Sequence, residues 1–277
     1  MHPKVILITG CSSGIGKSLA LKLHNLGHKI YATSRNRDAI SELANKLIST
    51  EKLDVTNDAD IDRIVPLIMD REVRIDILIN NAGYGLIGPI AEIPDEEIAL
   101  QFNTNLFGQL KLIKKIIPIM KMNSDGLIVN IGSISGLATT PFSGAYCASK
   151  SALHSLSDAL RMEVKPFGIK VVTVQPGGIK TNFGAAAKQT VERIFKADSI
   201  YAKLEKEITA RAEISQLNAT SLESFTDIIV KKILLKNPPP IIRTGNRSFI
   251  LPIMKLILPT KIYDNIMIKK FGLSKLS

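Results

Sequence analysis

A four-residue apolar run, Val5–Ile8, passes directly into Thr9-Gly10-Cys11-Ser12-Ser13-Gly14-Ile15-Gly16, and an amphipathic stretch then runs from Gly16 to a stop at Gly27. This strand–loop–helix passage constrains the fold more than any other feature. A short run of Val, Ile and Leu bounded by glycine fits a strand buried on both faces. Glycines let the following loop turn sharply and let backbone approach a phosphate closely. A helix that opens at the end of such a loop offers unpaired N–H groups and a partial positive charge. The spacing is Gly-x-x-x-Gly-x-Gly rather than the commoner Gly-x-Gly-x-x-Gly. By itself the loop is also compatible with an ordinary strand-to-helix turn. Ser12 and Ser13 add hydroxyl donors at the place where an anion would sit.

The pattern that starts here repeats. Lys29–Thr33, the end segment Lys52–Val55, Ile75–Asn80, Leu127–Ile131 and Ile169–Gln175 read as strands. Between them, Asp38–Ile48, Ile61–Met69, Glu96–Met122 and Ser143–Val164 read as helical, the third as two segments meeting near Asn103–Asn105. Ile228–Leu235 and Pro240–Arg243 read as a last helix and strand. Alternation of this kind predicts one α/β domain, a doubly wound parallel sheet with helices on both faces. At 277 residues the chain is long enough for one large core and short for two such domains. Residues 182–221 differ: polar, rich in Ala, Glu and Lys, and without strand signals, they are expected to form a helical substrate lid.

Four further groups of residues fall where strands end. Ser34-Arg35 closes the second strand, where a chain selecting NAD usually carries an acid against the ribose 2′-hydroxyl. Arg35 can instead pair with a 2′-phosphate and stack on adenine, which predicts NADP(H); a solvated surface arginine is the alternative. Lys17, in the first turn of the first helix, is ambiguous in the same way. Asn80-Asn81-Ala82-Gly83 ends the fourth strand with small residues, as a bound ligand or a plain turn would require. Ser133 follows the fifth strand, and Tyr146-x-x-x-Lys150 lies thirteen residues on, with Asn105 upstream. Tyr146 and Lys150, four apart on a helix, share one face. A phenol is a poor proton donor at neutral pH, but an adjacent cation lowers its pKa, and Lys150 can supply that charge. Ser133 can bind a carbonyl oxygen. Pro176-Gly177-Gly178-Ile179-Lys180-Thr181 follows the sixth strand and can close the nicotinamide end of the site, or be a simple Pro-Gly turn.

Together these residues resemble the short-chain dehydrogenase/reductase family, from Lys4 to Thr181 and with the motifs in order. The resemblance implies a Rossmann-like fold. It makes Gly10, Ser12, Ser13, Gly14, Ile15 and Gly16 the cofactor loop and Asp54-Val55 the adenine contacts. Asn81, Ala82, Gly83, Pro176, Gly177, Ile179 and Thr181 become further cofactor contacts. It makes Asn105, Ser133, Tyr146 and Lys150 the catalytic set, Asn105 followed by the expected Gly108, with Tyr146 and Lys150 also touching the cofactor. Tyr146 would donate the proton while NADPH delivers hydride, and Asn105 would hold a water that refills it through Lys150. A homo-oligomer and a small carbonyl or alcohol substrate are implied as well. Beyond Thr181, Ser199-Ile200-Tyr201 and Leu251-Pro252 through Phe271-Gly272-Leu273 resemble a subgroup near hydroxysteroid, retinol and acyl-dihydroxyacetone-phosphate reductases.

Composition narrows what remains. The net charge is +11, but aromatic residues are 5% of the chain with no Trp, and no nucleic-acid motif is present. Cys11 and Cys147 suit small packing positions, and no metal site is expected. Neither an export signal nor a membrane span is legible, so a cytoplasmic protein is expected. The expected division is a catalytic domain over residues 1–243 and a C-terminal extension over 244–277. That extension carries Arg243 just before it, then Arg247, Lys255, Lys261, Lys269, Lys270 and Lys275 against Asp264 alone. Ile250, Leu251, Ile253, Met254, Leu256, Ile257 and Leu258 lie among them, so it either meets an anionic membrane surface or packs on protein. A non-catalytic NADP(H) sensor on the same fold is the other alternative.

Overall fold

The apolar runs form strands closed to water on both faces. In the computed structural model, which describes residues 2–276, β1 (Val5–Ile8), β4 (Ile77–Asn80) and β5 (Gly126–Ile131) are buried at every position. With β2 (Lys29–Ser34), β3 (Ile48–Lys52), β6 (Ile169–Pro176) and β7 (Ile241–Thr244) they form one sheet in the order β3-β2-β1-β4-β5-β6-β7. Every pairing is parallel. The chain winds outward from β1 to β3, then returns to β4 on the other side of β1. The crevice at the carboxyl ends of β1 and β4 is therefore the switch point where such sheets bind ligands.

Alternate strand residues feed two cores. Ile6, Ile8, Ile77 and Ile79 pack with Leu19 and Leu23 of α1 (Gly14–Asn25) and Phe225 and Ile229 of α8 (Leu222–Ile233). Leu7, Leu78 and Ile128 face Ile61, Ile64 and Ile68 of α2 (Asp58–Glu72) and Leu112 and Ile116 of α4 (Gly108–Met122). A polar chain crosses this interior. Asn80 donates to Asn130 Oδ1 at 2.9 Å, and Asn130 donates to Ser157 Oγ at 2.8 Å. Ser157 belongs to α5 (Gly144–Val164), and Asn80 is paired with Asn130 in the β4–β5 register.

The double helical segment reads as expected: α3 (Asp95–Phe102) passes through a π-helical turn, Asn103–Phe107, into α4. Two expectations are corrected. Asp38–Ile48 is not a helix but a 3-10 turn over Asp38–Leu43, and the third strand is Ile48–Lys52 rather than Lys52–Val55. Asn45 causes the difference, because its Oδ1 accepts from Leu47 N at 2.9 Å and Ile48 N at 3.0 Å. That turn stops helical winding and delivers the β-branched residues of Ile48-Ser49-Thr50 into the sheet. Helix α8, expected over Ile228–Leu235, also starts earlier than its apolar pattern indicates, because Ser221 caps it by accepting from Ser224 N at 3.2 Å.

Residues beyond β6 build a third core. Val191 of α6 (Phe183–Ile194) and Ile208 of α7 (Glu205–Glu213) pack with Tyr263, Met267 and Phe271 at the end of the chain. Tyr263 and Met267 lie on α10 (Thr260–Lys270), so this part of the extension packs on protein. The preceding α9 (Ile250–Ile257) has no buried residue. Leu251, Met254 and Leu258 lean on the third core, whereas Leu256 is 85% and Ile257 70% exposed.

Candidate active site

The glycine loop Thr9–Gly16 is built by close approach. Gly10 has a φ of 72°, a left-handed conformation that favours glycine. Gly16 lies so close to the Gly10 carbonyl that an added Cβ would overlap it, and would come within 2.5 Å of Asn81 Nδ2. Asn81 holds this crossing together, donating from Nδ2 to Thr9 O and Gly10 O at 2.9 Å each. Thr9 Oγ1 in turn accepts from Asn81 N at 3.0 Å and Ala82 N at 2.9 Å. Asn81 thus shapes the loop with both donor positions. Ser12 and Ser13 stay exposed at the start of α1, and Ser13 makes no side-chain cap, so the first-turn N–H groups are open to a pyrophosphate.

The adenine side is also open. Ser34 ends β2 buried, and Arg35 follows it exposed and without an ion pair among the described residues. Lys17 is engaged elsewhere, with Glu42 at 2.7 Å. Arg37 is held by Thr50 O at 2.9 Å. Asp54 spends Oδ1 on Thr56, accepting its N–H at 2.8 Å and its hydroxyl at 2.7 Å, and Val55 beside it is buried. These residues fit a dinucleotide, with glycine backbone against the phosphates and a free guanidinium at the adenosine end.

Ser133, Tyr146 and Lys150 meet beyond β5, all buried. Ser133 Oγ accepts from Ser135 N at 3.1 Å, which leaves its own O–H to donate. Burial pushes the Tyr146 phenol up to about 12, while a hydrogen bond with Ser133 and the charge of Arg211 pull the other way. Lys150 is not among the groups acting on Tyr146. Its ammonium donates to Ile131 O at 2.7 Å, and burial brings its own pKa down to about 8. In this arrangement the end of the Lys150 side chain is turned to a strand carbonyl, and it makes no hydrogen bond to Tyr146 among the described residues. Asn105 lies inside the π turn, fully buried. Its Oδ1 accepts from Tyr84 N at 3.1 Å and its Nδ2 donates to Tyr84 O at 3.0 Å and to Ser149 Oγ at 3.2 Å. On the far side, Gly177 N donates to Thr244 O at 2.9 Å and Thr181 N to Gln216 Oε1 at 2.9 Å. Ile179 is buried against the first core, and Pro176 ends β6.

Three residues join this site that the motifs do not include. His154 Nε2 accepts from Ser133 N at 3.3 Å, with burial driving the imidazole pKa down to about 4, so the ring is neutral and fit to accept. An added Cβ at Gly136 would sit 2.7 Å from this ring, which explains the small residue there. Its place one turn after Lys150 on α5 was a usable signal. Phe183 lies against Tyr146 with ring centroids 5.6 Å apart, bringing the start of α6 onto the Tyr146 phenol. Arg211 reaches from α7 to Thr140 Oγ1 at 2.8 Å and Ser143 Oγ at 2.9 Å. No sequence pattern marks it.

A switch-point crevice lined by glycine backbone, with a Ser–Tyr–Lys cluster at its inner end, defines a nicotinamide-dependent oxidoreductase acting on CH–OH groups. The family profile for short chain dehydrogenases matches residues 4–192. The chain belongs to that family. It is 37% identical over 239 residues to 3-ketodihydrosphingosine reductase of Bacteroides thetaiotaomicron, covering 86% of this chain and 87% of the relative. It is 31% identical to retinol dehydrogenase 8 of Bos taurus over 93% of this chain and 86% of the relative. A crystal structure of a short-chain dehydrogenase from Streptomyces avermitilis superposes with a TM-score of 0.81 at 26% identity, covering 99% and 98% of the two chains.

Proposed function

We propose that the chain is an NADP(H)-dependent oxidoreductase that interconverts a carbonyl and a secondary alcohol on an apolar, lipid-like substrate. The observation that carries the cofactor choice is Arg35, exposed at the end of β2 with no carboxylate paired to it among the described residues. A guanidinium there complements a 2′-phosphate by bidentate hydrogen bonding, where an acid would repel it. When bound, the nicotinamide supplies or accepts the hydride. Ser133 donates its hydroxyl to the carbonyl oxygen, and Tyr146 holds the proton that this oxygen receives. Lys150 and Asn105 stand behind it as the route by which the proton is replaced. The catalytic unit spans residues 1–243, residues 182–221 act as the substrate lid, and 244–277 form the extension. Relatives named for ketodihydrosphingosine and for retinol support a lipid-like substrate. A homo-oligomer in the cytoplasm fits the family resemblance. The test is cofactor titration and turnover of the purified protein with 3-ketodihydrosphingosine, a lipid ketone. NADPH should bind at least tenfold tighter than NADH, and Arg35→Asp should erase that preference. Equal affinity for the two cofactors in the unmodified protein would refute the cofactor reading.

A second reading concerns α9. Phe249, Ile250, Ile253, Leu256 and Ile257 are all exposed, with Arg247 and Lys255 among them, and no helix among the described residues is long and apolar enough to cross a membrane. An apolar face with flanking cations suits the surface of an anionic bilayer, each cation adding about 1 kcal/mol. The full chain should co-sediment with phosphatidylserine vesicles at low salt and lose binding after Leu256→Glu/Ile257→Glu. Indifference to such vesicles at low salt would assign the face to a subunit interface instead.

A further inference from the structure

Next to the catalytic group lies a cleft of about 650 Å³, counting its solvent-open mouth. The loop after β5 contributes Ile134 and Ser135, and the loop after β6 contributes Gly177, so it opens beside the nicotinamide end of the crevice. Its wall also holds three cations from three parts of the chain, Arg211, Arg247 and Lys270, and no carboxylate among the described residues. Three like charges around one cleft repel one another and gain nothing from being there unless something negative joins them.

Arg211 makes the case strongest. Its residue is 9% exposed, and its hydrogen-bond partners are the neutral hydroxyls of Thr140 and Ser143. Nη1 has no hydrogen-bond partner among the described residues. The acid one helical turn away, Glu207, is paired with Lys275. Among the described residues this mostly buried guanidinium has no counter-charge, and the hydroxyls satisfy only part of its fork. Burial and the like charges of Arg247 and Arg211 also disfavour the charged form of Lys270. Apolar surface completes the cleft: Leu251 of α9, Ile214 and Leu217, and the Phe271 ring, which lies 5.8 Å from Arg211 Cζ and 5.7 Å from Lys270 Nζ.

We propose that this cleft binds an anionic group of the substrate, a carboxylate or a phosphate monoester, with Arg211 as its inner contact and Arg247 and Lys270 at the rim. Ser143, which Arg211 holds, is the residue just before α5 and lies one turn before Tyr146, so the anion would sit a short distance from the reacting carbonyl. The substrate is then an anionic amphiphile whose chain runs along Leu251 and Leu217. This deepens the oxidoreductase reading above and rests on it for the word substrate; the anion site itself does not.

The test separates the two. With NADPH present, an oxo fatty acid and its methyl ester are compared in the unmodified protein, Arg211→Met and Arg247→Met/Lys270→Met. The acid should be favoured in kcat/KM by about 10- to 100-fold, the range of one or two charge-assisted hydrogen bonds. Both variants should collapse the ratio toward one; the rim variant guards against Arg211→Met failing to fold. An acid-to-ester ratio near one in the unmodified protein overturns the proposal. A parallel arm measures thermal stabilisation of the NADPH-bound protein by decanoate, by dodecyl phosphate and by inorganic phosphate. Stabilisation that disappears in Arg247→Met/Lys270→Met supports the site even if neither carbonyl is turned over, and the preferred headgroup tells carboxylate from phosphate. Stabilisation by none of the three, or equally in all variants, overturns it.

Discussion

Lys150→Met in the cofactor-free protein turns the electrostatics of the site into a stability measurement. The Lys150 ammonium is buried, and burial moves its pKa from 10.5 to about 8. Below about 8 that displacement costs the folded state about 3 kcal/mol for holding the charge. Its one compensation is the bond to Ile131 O at 2.7 Å. Losing that donor costs about 1–3 kcal/mol. Methionine removes both, so the variant should be as stable as the parent at pH 7 or more stable by about 1–2 kcal/mol. The pH dependence carries the sharper expectation. The folded pKa lies below the unfolded one, so between about 8 and 10.5 the unfolded chain binds more protons, and parent stability rises with pH across that window. The variant lacks the group, and every other titration cancels in the difference between the two proteins. The parent should gain about 2 kcal/mol on the variant between pH 8 and 9.5. Urea unfolding at half-unit pH steps reads this directly. A difference that stays flat over this range would show that the buried ammonium carries no such cost.

Two other substitutions probe the glycine loop and the Tyr146 phenol. Gly16→Ala places a methyl against the Gly10 carbonyl and Asn81 Nδ2; the overpacking, about 1–3 kcal/mol, should weaken NADPH about 5- to 150-fold in a fluorescence titration. Unchanged affinity would mean the loop does not need this close crossing. Tyr146→Phe keeps the packing against Phe183 and removes the hydroxyl; turnover should fall about two to four orders of magnitude with cofactor affinity retained. Near-normal turnover would remove Tyr146 from the proton path.

Much of the sheet could be read from the chain because its strands are uninterrupted apolar runs between glycine and proline. Val5–Ile8 appears with unchanged limits, and the break near Asn103–Asn105 appears as the π turn. The third strand failed because Ile48-Ser49-Thr50-Glu51-Lys52 carries no such run, and because a single side chain, Asn45, ends the preceding turn. The family motifs locate the loop, the phenol and the lysine, but not what the lysine bonds to, since rotamer and burial are tertiary facts. His154 was within reach, one turn along the same face as Tyr146 and Lys150. Arg211 was not: its importance lies in a missing counter-charge, which exists only once α7 is laid against the start of α5.

The pair Asn80–Asn130 acts as a registry key for the middle of the sheet. Strands buried on both faces lack the in–out alternation that ordinarily fixes pairing, so Ile77-Leu78-Ile79 could slide along Leu127-Ile128-Val129 with little change in apolar contact. In the native register the two amides meet at 2.9 Å and Ser157 takes the next bond. A slip of one position would strand both amides in the core, at about 1–3 kcal/mol for each group left unpaired. Because β4 and β5 carry Asn81 and Ser133 just beyond their carboxyl ends, the same key keeps the loop-shaping amide and the Ser133 hydroxyl at one height.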